Sequence, residues 1–271
     1  MVAAGLNPED AYKTEGMQIN LDSNTTLDCF KQMCELFTMY GFPITYDFAN
    51  RFRTGEMPIA VADYTAYNQL TIFAPEISGL WKIMTLPGTA VYEKNEYGDY
   101  VLDKNGNRKV AVDENGERLI NYNSVAAVTG VMMMKGARDH KRINESWEFM
   151  KWWTDAPAQS EYGNELVALL GASGQYATAN LEALSEQPWS SDVMVELQDQ
   201  FRNLAVTPEM PGGYIITRYI DFAFLAAYNE NANPVDELLG YIDAINSELS
   251  RKREEFNLPV LEDFEDVEIE R

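Results

Sequence analysis

The spacing of apolar residues is what most restricts how this chain can fold. Leu27, Phe30, Cys34 and Phe37 recur every three or four residues, with Ser, Asn and Thr cap candidates ahead of them and Gly41 behind, which predicts an amphipathic helix over residues 23–40. The same period returns in Val193, Leu197, Phe201 and Leu204. It returns again in Val235, Leu238, Leu239, Ile242, Ile245 and Leu249, where Asn233 offers a cap and Pro234 a first helical position. Further helices are expected over residues 46–54, 64–73, 141–153, 158–170 and 215–228, with a short one near Leu181. Compact apolar runs at 58–62, 81–86 and 124–134 stand between them and are expected as strands. Short strands alternating with long helices predict an α/β architecture.

At 271 residues the chain exceeds the usual size of one core, so two lobes are expected. The longest nearly apolar run, residues 125–134, is short of the ~20 residues a bilayer crossing needs. Residues 1–5 lack the basic start and apolar stretch of an export signal, so a signal is expected either to have been removed or to lie upstream. Acidic residues outnumber basic ones 43 to 21, giving a net charge of -22 that repels phosphate backbones and anionic headgroups. No nucleic-acid partner is expected. Cys29 and Cys34 share one predicted helix at a separation beyond the ~7 Å limit for a disulfide, so both are expected as thiols.

Between residues 97 and 122 the pattern changes. Asp103, Asn105 and Gly106 return as Asp113, Asn115 and Gly116 between β-prone segments, and two Asn-Gly turns predict a three-stranded meander, polar enough to be a surface excursion. The Asp-x-Asn spacing resembles a calcium loop, but the glycine comes two positions early and no Glu closes the loop; turn chemistry accounts for these residues. The residues from 207 to 213, with Pro208, Pro211, Gly212 and Gly213, predict a shaped loop, and the acidic tail 262–271 is expected to fray.

His140 is the single histidine, at a loop-to-helix junction, so a histidine triad or a histidine-rich metal site is not expected, and no metal or cofactor is assigned. The turn Gly171, Ala172, Ser173, Gly174 superficially suggests a nucleophile, but no histidine serves it. Paired carboxylates that process glycosides remain an alternative in so acidic a chain. Trp81, Trp147, Trp152 and Trp153 lie within regular elements and are expected to fill cores.

One stretch has a distinctive grammar: a helix through Phe52, a turn at Gly55, a short strand from Pro58, then Asp63, Tyr64 and Tyr67 at its end. It resembles the matching element in the extracellular solute-binding proteins of ABC importers, the maltose-binding-protein-like group. Tyr40, Gly41, Phe42 and Pro43 ending the upstream helix agree. So do Ala74, Pro75, Glu76 and Ile77, the run Leu86, Pro87, Gly88 and Thr89, Gly130 in the return strand, the helix carrying Trp147 to Asp155, and the proline-rich loop before Ile215. The likeness covers residues 20–257.

The resemblance implies a type II periplasmic-binding-protein-like fold of two lobes with the first incomplete. Its divisions would be 1–88 and 188–258 in the second lobe, an inserted meander at 89–123, a first-lobe segment at 124–187 and a tail at 259–271. It implies a monomeric, extracytoplasmic receptor or cell-surface lipoprotein that passes a small solute to the transmembrane subunits of an ABC permease. A carbohydrate, foremost an oligosaccharide, is the expected ligand, since sugars need flat aromatic surfaces beside planar polar groups; a peptide is the variant.

The candidate ligand residues are Asp63, Tyr64 and Tyr67 at a strand end, Tyr214 and Arg218 after the 211–213 loop, and Gly130 and Tyr176 from the first-lobe segment. Each has a plainer reading. Asp63 would cap a helix on which both tyrosines pack, Arg218 would pair with Asp221, Gly130 would serve sheet packing, and Tyr176 would be core.

Overall fold

Ser23 begins the first long helix by the chemistry expected of it, its Oγ accepting the Thr26 N–H at 3.3 Å. The structure is a computed structural model that describes residues 8–96, 98–126 and 129–260. In chain order its elements are β1 (Tyr12–Lys13), β2 (Gln18–Ile19), α1 (Asn24–Thr38), α2 (Phe48–Arg53), α3 (Tyr64–Phe73), β3 (Thr89–Ala90), β4 (Ile120–Asn121), β5 (Ser124–Val125) and α4 (Lys135–Asp139). Then come α5 (Ile143–Thr154), α6 (Ala156–Leu170), α7 (Leu181–Ser185), α8 (Ser191–Arg202), β6 (Leu204–Ala205), α9 (Tyr214–Glu230), α10 (Pro234–Gly240) and α11 (Ile242–Glu255). Among the described residues helix accounts for 52 % and strand for 8 %, a mixed but helix-dominated content. The expected N-terminal signal region and the tail 262–271 lie outside the described residues.

The chain forms two compact units. Met1–Ile44, Gly88–Val125 and Ala205–Arg271 make the first, Thr45–Pro87 and Ala126–Leu204 the second. A boundary between the units falls after Ile44, within the segment expected as one piece at 1–88, and beyond it Tyr64, Tyr67 and Ile83 pack with Leu184 of α7 and Val193 and Leu197 of α8.

In the first unit, Phe30 and Cys34 of α1 bury against Ile215, Ala223 and Ala227 of α9, Leu238 of α10 and Ile245 and Leu249 of α11. Burial pushes the Cys34 thiol up to about 11, with Glu35 adding to the effect, and both cysteines are free. The last helix, expected as one, breaks after Gly240 into α10 and α11; Asn233 caps α10 as foreseen, its Oδ1 accepting the Val235 N–H at 3.0 Å. Gly212 adopts φ +89°, and a Cβ there would lie 2.9 Å from the Glu248 carbonyl oxygen, so the loop entering α9 needs glycine for conformation and for space. The β1–β2 hairpin is tied to α11 by the buried Asn246, whose Oδ1 accepts the Ile19 N–H at 2.8 Å.

The meander, expected as three-stranded, is held by rings of backbone hydrogen bonds. Val91 donates to Leu119, Leu119 to Ala111, and Ala111 back to Val91, at 3.0, 2.9 and 2.8 Å. A second ring runs Glu93 to Lys109, Lys109 to Val101 and Val101 to Glu93 at 2.8, 2.8 and 2.9 Å. Each residue gives its N–H to one neighbour and its carbonyl to another, so the segments close on one another. The Asn-Gly turns have a third counterpart, closed by Asn95 and Asp99 with Gly98 at φ +87°. The backbone N–H of Asn107, then that of Asn105, holds the Asp103 carboxyl below its ordinary range, and the Glu117 N–H does the same for Asp113.

Nor is the meander a free excursion. Tyr100 lies under the Arg108 guanidinium, 4.1 Å from the ring centroid; Arg108 pairs with Asp28, and Lys94 Nζ donates to the buried Thr25 at 2.6 Å, docking the insertion on α1.

In the second unit, Leu184, Trp189, Val193 and Leu197 form the core, with Tyr64, Tyr67, Ile83, Ala177, Met194 and Phe201 packed on it. The strands expected at 58–62 and 81–86 form no ladder. Ile59 and Val61 are 85 % and 75 % exposed. In the second run the backbone is held by side chains of α8 in place of a neighbouring strand, Thr85 N–H donating to Glu196 at 2.7 Å and Leu86 N–H to Gln200 at 2.8 Å. Among the described residues of the run 124–134, strand is confined to Ser124–Val125, and Met132 and Met134 face solvent. Trp147 and Trp152, expected in a core, are 51 % and 53 % exposed on α5, a helix with no buried residue.

Replacing Asn246 by Ala leaves the Ile19 N–H without its buried acceptor, and urea denaturation is expected to show a loss of about 1–3 kcal/mol. An unchanged midpoint would mean that this tie contributes nothing to the first unit.

Candidate functional site

The expected site residues fall into two groups, one in each unit. In the second unit, Asp63 is the N-cap of α3, its Oδ1 accepting the Thr65 N–H at 3.0 Å and the Thr65 hydroxyl. The cap starts the helix so that Tyr64 and Tyr67 share its first turns, both half-buried. Their rings meet Trp189 with centroids 6.3 and 5.9 Å away, and Tyr67 also meets Trp81 at 5.5 Å. Trp81 in turn contacts Phe52, and Phe52 contacts Phe48, so six aromatic rings form one continuous run. The plainer reading of Asp63 as a cap and of the tyrosines as packing groups thus describes what these side chains do in the structure.

Tyr176 joins the same neighbourhood. Its hydroxyl donates to Gln159 Oε1 at 3.0 Å, where Thr178 also donates at 2.9 Å, and its ring contacts Tyr162, which contacts Trp153. Burial raises its pKa, and Tyr162 and Tyr64 stand close enough to add to the rise. Gly130 is exposed, and no heavy atom lies within 4 Å of the place a Cβ would take. Ser173 has a structural role, donating to the Leu170 carbonyl at 2.7 Å at the end of α6.

Two residues here escaped the sequence reading, Asn68 and Gln187, which are 8 % and 6 % exposed. Asn68 Nδ2 donates to the Gln175 carbonyl at 2.6 Å, leaving its Oδ1 buried with no partner. Gln187 Oε1 accepts the Trp189 indole N–H at 3.3 Å, and its side chain also stands beside the Tyr176 hydroxyl, where it acts to lower the pKa of that group. A carbonyl can only accept and an indole N–H can only donate, so both amide orientations are dictated by chemistry. The one available sequence signal is that Asn68 follows Tyr64 by a helical turn.

In the first unit, Tyr214 opens α9 and Arg218 follows one turn later, both exposed. The Tyr214 hydroxyl donates to Glu248 Oε1, and Arg251 grips the same carboxylate with Nε at 2.7 Å and a terminal nitrogen at 2.6 Å. Those bonds, first from Arg251 and then from Tyr214, hold the Glu248 carboxyl down at about 2. The expected pairing of Arg218 with Asp221 is not formed among the described residues.

Among the described residues no group of three or more His, Cys, Asp or Glu side chains could hold a metal ion, and no helix is long and apolar enough to cross a membrane. A shallow groove of about 440 Å³ lined by Met133, Met134, Lys135, Arg138 and Ile143 opens on the surface of the second unit, and one of about 80 Å³ lies beside Tyr12, Ile19 and Ile216 in the first. No family model matches the sequence, and no curated protein matches it.

The depressed Glu248 pKa carries a sign. Its ionised form is favoured by folding, so the stabilisation is complete above the ordinary carboxylate pKa of about 4.5 and is lost as pH falls towards about 2. Thermal melts of the wild type and Glu248→Gln are expected to differ at pH 6 and to converge near pH 2; a difference independent of pH would contradict the assignment.

Proposed function

We propose that this chain is the substrate-binding component of an ABC importer, an extracytoplasmic receptor that captures a carbohydrate, foremost an oligosaccharide, and presents it to a membrane permease. The observation that carries this reading is the run of six aromatic rings ending at the half-buried Tyr64, on the same helix as the buried Asn68 amide. Apolar ring faces and neutral planar hydrogen-bonding groups match the two surfaces of a sugar, its C–H faces and its hydroxyl rim. Tyr214 and the unpaired Arg218 supply a second patch of the same chemistry in the other unit.

The type II two-lobed fold with an incomplete first lobe belongs to the same proposal. Its support is the apolar surface on residues 131–134 and α5, where Met132, Met134, Trp147, Phe149 and Trp152 face solvent. Exposed large apolar side chains gathered in this way suit an interaction face.

Titration calorimetry against neutral oligosaccharides tests the reading. Arg218→Ala and Tyr64→Ala are each expected to weaken binding on the order of tenfold, the loss of one good polar or ring contact, with the far-ultraviolet circular dichroism of Arg218→Ala unchanged. Unaltered affinity in both variants would remove these residues from the site.

A further inference from the structure

We propose that residues 129–134 are an open backbone edge on which a partner polypeptide lays an extended strand, apolar in its middle and flanked by carboxylates. The proposal goes beyond the receptor reading and does not depend on which solute is bound.

The run Thr129, Gly130, Val131, Met132, Met133 and Met134 holds neither a charge nor a proline. It lies outside helix and strand, and Met134 at its end is extended, with φ -82° and ψ 156°. Among the described residues no hydrogen bond reaches the backbone N–H groups of this run, nor the carbonyls ahead of Met134. Val131, Met132 and Met134 face solvent, and the space beside Gly130 is open. Natural proteins guard an edge of unpaired peptide groups with lysine or proline placed in it. Here the edge is unguarded and its side chains are apolar, which is the chemistry that takes an added strand: backbone hydrogen bonds along the run, with pockets for alternate side chains.

The groove of about 440 Å³ lies against the end of this run, where Met133 and Met134 meet Ile143 of α5, and exposed Trp147 follows Ile143 by one helical turn. An apolar side chain of the added strand has its pocket there. Charge decides what flanks that strand. Lys135, Arg138, Lys141 and Arg142 follow the run within eight residues and meet one acid, Asp139, in a chain where acids outnumber bases 43 to 21. Lys135 and Lys141 have no ion pair among the described residues, and Arg138 reaches Asp139 only at 3.9 Å. A partner with carboxylates beside its apolar residues answers both features. A second copy of the run answers one: paired antiparallel it brings these cations no carboxylate, and paired parallel it sets like charges together. A bilayer offers the peptide groups no ladder, and an anionic one repels a chain of net charge -22.

The test uses the full chain and three synthetic peptides: alternating valine and threonine flanked by glutamates, its lysine-flanked counterpart, and the glutamate form N-methylated at alternate peptide nitrogens. Calorimetry is expected to show saturable binding of the first, with the other two weaker by at least about tenfold. Amide hydrogen exchange is expected to slow at residues 131–134 when the first peptide is bound. Lys135→Glu combined with Arg138→Glu is expected to weaken that peptide to a similar degree. So is Met132→Pro, which deletes one edge N–H, whereas Met132→Thr, which keeps it, binds as the wild type does. Binding of none of the peptides, equal binding of all three, or unchanged exchange at 131–134 would overturn the proposal. A dimer in sedimentation velocity that Met132→Pro dissociates would overturn it in favour of a second copy, and binding of phosphatidylglycerol vesicles but not of the peptide in favour of a membrane. The peptide comparison and the exchange measurement use the unaltered chain, so they decide the matter even where Met132→Pro fails to fold. The oligosaccharide titrations read Tyr64 and Arg218, so failure here leaves the receptor reading as it stands.

Discussion

The indole of Trp189 is the contact on which the second unit depends. It lies buried against Leu184, Val193 and Leu197, receives the rings of Tyr64 and Tyr67, and fixes Gln187 through its N–H. A large ring that meets two half-buried tyrosines also holds an amide in one orientation. Without it, α3 has no apolar platform beneath its first turns.

The first unit depends on a different device, the placement of caps and glycines around one buried seam. Ser23, Asn233 and Gly212 set where α1 and α10 start and how the chain enters α9, and each does so through a named hydrogen bond or a left-handed backbone angle. Once those boundaries are set, Phe30, Cys34, Ile245 and Leu249 share one interior. The meander is added through Tyr100 and its two cations, a polar contact that suits an insertion lacking a core of its own.

The helices were legible in the sequence because their signals are local. Ser23, Asp63 and Asn233 announce their caps, and the stripes of α1, α8 and α11 follow the helical period. The strands were not, because a strand is defined by a partner elsewhere in the chain. The runs at 58–62 and 81–86 have the right composition, yet the second finds α8 side chains in place of a ladder, and the first finds no burial. The same limit applied to the site. Asp63, Tyr64 and Tyr67 were readable from one stretch, whereas Asn68 and Gln187 gain their meaning from Gln175 and Trp189, more than a hundred residues from Asn68.

The central claim is that a carbohydrate engages the aromatic rings of the second unit. The most direct measurement is the indole N–H signal of Trp189 in a ¹H–¹⁵N spectrum, assigned by Trp189→Phe, followed through a titration with neutral oligosaccharides. The account expects a saturable shift of that signal, since Tyr64 and Tyr67, the rings that meet the indole, are the surfaces a sugar would engage. A saccharide that binds while the Trp189 signal stays fixed would contradict it.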